Sequence, residues 1–353
     1  MSEIELAHGD ARLRVAALGA EARGWRVGRT ELLWPGDAAI WPEIAPILFP
    51  VVGWTRDGAR VGGRQYALGL HGFARRQMFG VERREADFVR LVARDDAQTR
   101  AVYPFAFQFA VEHRLGEREW ETILEVTNTG DTPMPYACGL HPGFHWPFGS
   151  ASRAGASIRF AESERAQVPD IAPGGLIAPT RHAVPLREGR VLPLDQAPLA
   201  QDAMCFLDAA SRALTFAQAD GSALAMTLDG FPHIALWTRP PAPYLCLEAW
   251  TGYSDPEGYA GDLFEKPGMS VLALAPARAI PRATATSPAI NPSPRGRRLR
   301  RLPGPWPCGC PGSAPAAGMR PARRRSSSGR RGCRPTPPPA ASPCLQARQG
   351  PDP

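Results

Sequence analysis

From Phe105 to Leu115 the chain alternates without a break. Phe105, Phe107, Phe109, Val111, His113 and Leu115 share one parity; Ala106, Gln108, Ala110, Glu112 and Arg114 share the other. Extended backbone sends successive side chains to opposite faces, so a period of two over eleven residues predicts a half-buried strand. The pattern recurs at once. Trp120, Thr122, Leu124 and Val126 alternate with Glu121, Ile123 and Glu125, the turn Asn128-Thr129-Gly130-Asp131 follows, and Met134 to Cys138 begins a further strand. Leu224 to Leu228, Ile234 to Trp237 and Tyr244 to Trp250 read the same way, separated by Asp229-Gly230-Phe231-Pro232 and Arg239-Pro240-Pro241. Helical periodicity is nearly absent, and Ala154 to Leu194 reads as loops and short strands. Such spacing predicts an all-β chain folded as an antiparallel sandwich or barrel.

The chain has 353 residues, 44% of them hydrophobic, enough for one large core. Its +7 charge is unevenly placed. Residues 283–353 carry 13 arginines and one acid (Asp352), about +12, which leaves about −5 on the body. That tail also holds 16 of the 39 prolines and no hydrophobic period. It cannot bury enough surface to offset its ordering entropy, so the expected division is a folded domain over 1–282 and a disordered Arg/Pro-rich tail over 283–353. A solvated tail is expected rather than a specific nucleic-acid or lipid-binding module, and Cys308, Cys310, Cys333 and Cys344 lack zinc-ligand spacing. The body cysteines, Cys138, Cys205 and Cys246, are too scattered for a disulfide framework and fit a reducing compartment. No secretory leader or apolar run of membrane-spanning length is evident, so a cytoplasmic location is expected.

Three segments carry chemistry. Leu70-His71-Gly72-Phe73-Ala74-Arg75 and Gly139-Leu140-His141-Pro142-Gly143-Phe144 each place a histidine beside glycine or proline. Cys246-Leu247-Glu248-Ala249-Trp250 places a carboxylate in an apolar run, where it costs free energy unless paired or working. Two histidines and a buried glutamate are sufficient parts for moving a proton off one oxygen and onto another. On an extended strand Glu248 shares a face with Tyr244, Cys246 and Trp250, and desolvation there should raise its pKa. His113 is expected to be a satisfied core residue, and Trp237 either core or a stacking platform for a ligand.

These runs, with Leu48-Phe49-Pro50-Val51-Val52-Gly53 and Tyr103-Pro104-Phe105, resemble the aldose 1-epimerase (galactose mutarotase) family over about Ile4 to Ala277, most nearly its compact bacterial branch. The resemblance implies a large antiparallel β-sandwich (a supersandwich), interconversion of the α and β anomers of a free aldose, no cofactor and no metal. It assigns Glu248 as the base at the anomeric hydroxyl, His141 as the acid at the ring oxygen, and His71 as a group that holds the sugar. Arg75 and Trp237 are further candidate substrate contacts. Base and acid are expected on opposite sides of the C1–O5 bond. Two positions depart from the family pattern: Trp54 stands where an arginine is common, with Arg56 two residues on, and Ala249 stands where proline is common. A hexose-6-phosphate 1-epimerase and a non-catalytic carbohydrate-binding protein are the alternatives. The first needs several arginines at the cleft mouth, for which Arg75, Arg76 and Arg56 are the candidates.

Overall fold

Alternation places Phe107, Phe109, Val111, His113 and Leu115 inward, and the strand Phe107–Leu115 buries each of them. It pairs antiparallel with Glu119–Asn128, Phe107 opposite Asn128 and Leu115 opposite Trp120. Around this hairpin runs a ten-stranded sheet in the order Val191–Pro193, Ser157–Phe160, Ala213–Ala217, Ala223–Asp229, Arg282–Thr286, Glu119–Asn128, Phe107–Leu115, Phe88–Arg94, Gly80–Arg84, with Ala277–Ala279 also pairing Glu119–Asn128. A second, six-stranded sheet runs Met204–Phe206, His233–Trp237, Tyr244–Trp250, Gly139–Leu140, Ile47–Leu48, with Gly143–His145 pairing the same central strand. One contiguous core joins the inner faces: Phe109, Leu124 and Val126 from the first sheet with Ile234, Leu236, Leu245, Leu247 and Ala249 from the second. Phe49 ties the layers, stacking on Phe109 at 4.5 Å and meeting Phe107 edge-on at 5.1 Å. This is the expected antiparallel β-sandwich.

The computed structural model describes residues 3–149, 151–199, 202–274 and 277–287, all within the first of the chain's two units, Met1–Ser293. Among them the one α-helix, Ala97–Val102, is short and closed by a capping box between Asp96 and Thr99. No helix there is long and apolar enough to cross a membrane. The expected tail lies outside the described residues from 288 onward. Its expected start at 283 is corrected: Arg282–Thr286 is a strand in the middle of the ten-stranded sheet, with Ala283 and Ala285 buried. Alanine and threonine alternate there too weakly to register as a hydrophobic period.

His113 is the satisfied core residue expected. Trp120 donates its indole N–H to Nδ1 at 3.1 Å, so the ring proton is on Nε2, which donates to the Ala20 carbonyl at 2.9 Å. Burial lowers its pKa to about 4. Its unfolded value is about 6.5, so the stability it supplies is complete above that pH and is lost as pH falls toward 4. On acidification to pH 4 this one group should remove on the order of 3 kcal/mol from the unfolding free energy. Denaturant melts of the protein and of His113→Gln should converge as pH is lowered; a pH-independent gap between them would refute the assignment.

Candidate active site

The centre of the site is a matter of strand register. Gly139 pairs with Trp250 and Leu140 with Ala249; Gly143 pairs with Cys246 and Phe144 with Leu245. The register is the same on both sides of the gap, so His141 stands directly opposite Glu248. Pro142, which has no N–H for the ladder, fills the next rung and accepts from the Leu247 N–H at 3.2 Å. Cross-strand partners share a face at close range. His141 Nε2 accordingly lies 3.3 Å from Glu248 Oε2, and the Trp250 indole N–H donates to the same oxygen at 3.0 Å. On its other side Glu248 faces Ala235, whose small side chain leaves room. As alternation predicts, Leu245, Leu247 and Ala249 point into the core between the sheets, while Tyr244, Cys246, Glu248 and Trp250 face the other way.

That face forms the floor of a cavity of about 540 Å³, which brings together all five expected site residues: His71, Arg75, His141, Trp237 and Glu248. His71 arrives from a loop rather than a strand. It holds a left-handed backbone at φ 59°, unusual for a non-glycine residue and tolerated where surrounding contacts fix it. Those contacts come from Gly53: the His71 N–H donates to the Gly53 carbonyl at 2.8 Å, and the Gly53 N–H donates to His71 Nδ1 at 3.0 Å. A backbone N–H can only donate, so neutral His71 carries its proton on Nε2. Its ring meets that of His141 edge-on at 5.7 Å.

Trp237 contacts His141 edge-on at 5.6 Å, and Trp41 lies over His141 at 5.2 Å. Gly143 makes that possible: a Cβ there would sit 2.7 Å from the Trp41 ring. Arg75, from the short 3-10 turn Ala74–Arg76, donates through Nη1 to both oxygens of Glu43 at 2.8 and 2.9 Å, and through Nη2 to the Leu70 carbonyl. It is therefore both a wall of the cavity and one half of a part-buried ion pair. Arg56 lies outside this cavity, in an adjoining one. Trp41, Glu43 and Asp202 also line the cavity, and sequence reasoning did not single them out. They come from irregular segments without a period, so nothing local marked them.

Burial pushes the Glu248 carboxyl well up, with Asp202 adding to the shift and the Trp250 N–H opposing it. Burial pushes His141 down, with Arg75 adding to it, and His71 is lowered by burial, His141 and Arg75 in turn. Both members of the central pair thus favour their neutral forms, and the pair holds one transferable proton at neutral pH. The raised carboxyl matches expectation. The two groups stand side by side in one ladder, 3.3 Å apart. Both hemiacetal oxygens are bonded to the same carbon, so neighbouring groups can serve both.

Cys246 adds a third ligand type: its Sγ and atoms of His141 and Glu248 all lie within 4.8 Å, the one such grouping among the described residues. Burial, then Glu248, push that thiol well up, so it keeps its proton, and the other two members are already paired with each other.

Comparison with known proteins agrees with this architecture. A family model for aldose 1-epimerase matches residues 2–262. The chain is 30% identical over 251 residues to the chromosomal protein LacX of Lactococcus lactis subsp. lactis, covering 68% of this chain and 84% of that protein. Among solved structures it is similar to a galactose mutarotase-like protein from Lactobacillus casei, with 26% identity and a TM-score of 0.74 over 81% of this chain and 99% of that one. It also shares the fold of a galactose mutarotase related enzyme from Lactobacillus acidophilus, at 24% identity and a TM-score of 0.73 over 81% and 97% of the two chains.

Proposed function

Because the chain belongs to the aldose 1-epimerase family, we propose that it interconverts the α and β anomers of a free aldose by general acid–base catalysis at the His141–Glu248 pair. The observation that carries this reading is the 3.3 Å contact between two buried, oppositely shifted groups on the floor of one cavity. Glu248 takes the proton of the anomeric hydroxyl as His141 delivers one to the ring oxygen. The C1–O5 bond breaks, C1 becomes an aldehyde, rotation about C1–C2 presents its other face, and both transfers reverse as the ring closes. Protons balance within the pair: one leaves His141, one arrives on Glu248, and closure restores the start. The shared proton must therefore sit on His141 when sugar is bound. Two hydrogen bonds onto the carboxylate, from Trp250 and from the substrate hydroxyl, favour that arrangement. His71, proton on Nε2, donates to a sugar oxygen and stabilises charge developing at the ring. Each well-placed transfer is worth about 10²–10⁴-fold in rate.

Free sugars fit this cavity better than phosphosugars. The Arg75 charge is already met by Glu43, Arg56 lies in the adjoining cavity, and Asp202 faces the same space as Arg239. The test is polarimetry on freshly dissolved α-D-glucose and α-D-galactose. Rotation should relax many times faster with protein than with buffer alone. Binding without acceleration would make the chain a carbohydrate-binding protein, and acceleration confined to 6-phosphates would make it a phosphosugar epimerase.

A further inference from the structure

Cys246 is a side chain that the proposed chemistry leaves idle. It lies two residues before Glu248 on the strand Tyr244–Trp250, so the two project from one face. Its Sγ and one ligand atom each of His141 and Glu248 lie within 4.8 Å of one another, and all three residues are buried. We propose that this thiol, imidazole and carboxylate form a binding site for a soft divalent cation, zinc or cadmium, whose occupancy stops turnover in the cavity. The metal site stands on the geometry alone; its effect on rate rests on the epimerase reading above.

The spacing suits a tetrahedral ion. Zinc holds nitrogen and carboxylate oxygen at about 2.0–2.2 Å and thiolate sulfur at about 2.3 Å, so nitrogen and oxygen ligands stand about 3.4 Å apart and sulfur about 3.6 Å from either. His141 Nε2 and Glu248 Oε2 already stand 3.3 Å apart. The sulfur has at most about 1 Å to close, which a partial rotation about its one side-chain torsion covers. The Trp250 indole N–H, 3.0 Å from Glu248 Oε2, supplies the hydrogen bond that commonly orients a ligating carboxylate. His141 and Glu248 line the cavity, which gives the cation a path in and room for a water as fourth ligand. Sulfur and nitrogen donors favour zinc and cadmium over magnesium and calcium, which take oxygen.

Charge balances too. The His141–Glu248 pair holds one transferable proton and the thiol keeps its own, so the cluster is neutral before the cation enters. Binding forms metal–sulfur, metal–nitrogen and metal–oxygen bonds and releases both protons to water. A dication then faces one thiolate and one carboxylate, neutral again, so no unpaired charge is buried. With the cation in place Glu248 cannot take a proton and His141 has no free lone pair to carry one. Cation and sugar therefore compete for the same groups.

Titration with zinc and cadmium chloride, read by polarimetry and by the ultraviolet thiolate-to-metal charge-transfer band of cadmium, tests this. Zinc should inhibit mutarotation competitively with sugar, and EDTA should restore it; magnesium and calcium should leave the rate alone. Cys246→Ala should lose part of the cadmium band and need at least about tenfold more zinc for half-inhibition, measured against its own metal-free rate. Cys246→Ser replaces it if alanine unsettles the fold. Cys308, Cys310, Cys333 and Cys344 are common to parent and variant, so the difference spectrum reads residue 246. Cys205 also lines the cavity, and Cys205→Ala should keep both the band and the inhibition. Equal bands and equal zinc sensitivity in parent and Cys246 variants would overturn the site, as would loss of both in Cys205→Ala. A band that depends on Cys246 in a protein that accelerates no sugar would keep the metal site and remove the epimerase reading.

Discussion

Glu248→Gln lowers kcat for mutarotation by about 10²–10⁴-fold while the sugar still binds, as read by quenching of the cavity tryptophans. Glutamine reproduces the protonated carboxyl in shape and polarity. Its oxygen can still accept from the Trp250 indole N–H, so the side chain keeps its place on the floor of the cavity. What disappears is the ability to accept a proton. A second consequence separates this residue from an ordinary structural one. Burial raises the folded-state pKa of Glu248 above its unfolded value, so the stability linked to its protonated form is complete below the unfolded pKa and is lost as pH rises through the folded one. The glutamine variant carries no such loss. Its thermal midpoint should exceed that of the parent by a margin that widens from pH 5 to pH 8. An inactive variant that gained in stability would be a functional group held at a thermodynamic cost. Retained turnover would take the base role from Glu248, and a margin that narrowed with rising pH would contradict the raised pKa.

The second large effect is on folding. A chain ending at Arg282 should fail to fold, and one ending at Ser287 should fold and turn over sugar. The strand Arg282–Thr286 lies between Ala223–Asp229 and Glu119–Asn128 in the ten-stranded sheet, with Ala283 opposite both Leu228 and Thr122 and Ala285 opposite both Met226 and Trp120. Cutting after 282 removes a strand from the middle of the sheet. It leaves two unpaired edges within the fold and uncovers the core beside Trp120 and Met226, a loss of several backbone hydrogen bonds at about 0.5–1.5 kcal/mol each plus the buried alanines. The Ser287 N–H closes the strand by donating to the Arg118 carbonyl at 2.7 Å. Circular dichroism and a cooperative melt distinguish the two chains. A stable, active 1–282 fragment would show the strand to be dispensable, and an unfolded 1–287 fragment would assign a structural role to the remaining residues.

The same strand marks where sequence reasoning stopped. Phe107–Leu115 and Tyr244–Trp250 were legible because bulky apolar residues alternate with polar ones or stand in an unbroken run. Arg-Ala-Thr-Ala-Thr has the same period, but alanine and threonine differ too little in hydrophobicity to show it, and the neighbouring arginine- and proline-rich composition masked it. Glu248 was legible because a carboxylate in an apolar strand needs a reason. Its partner's position was not: His141 and Glu248 are more than a hundred residues apart, and only the register on either side of Pro142 sets them on one rung.

Local pattern alone determined strands such as Phe107–Leu115 and Tyr244–Trp250, the face each presents to the core, and the identity of the buried carboxylate, because alternation and desolvation act over a few residues. Tertiary structure decided which strands are neighbours, and therefore that His141 and Glu248 stand side by side, that Glu43 holds Arg75, and that Trp54 divides two cavities. Those facts depend on pairing between segments distant in the chain, where the contact energy depends on a geometry that no short stretch of residues specifies.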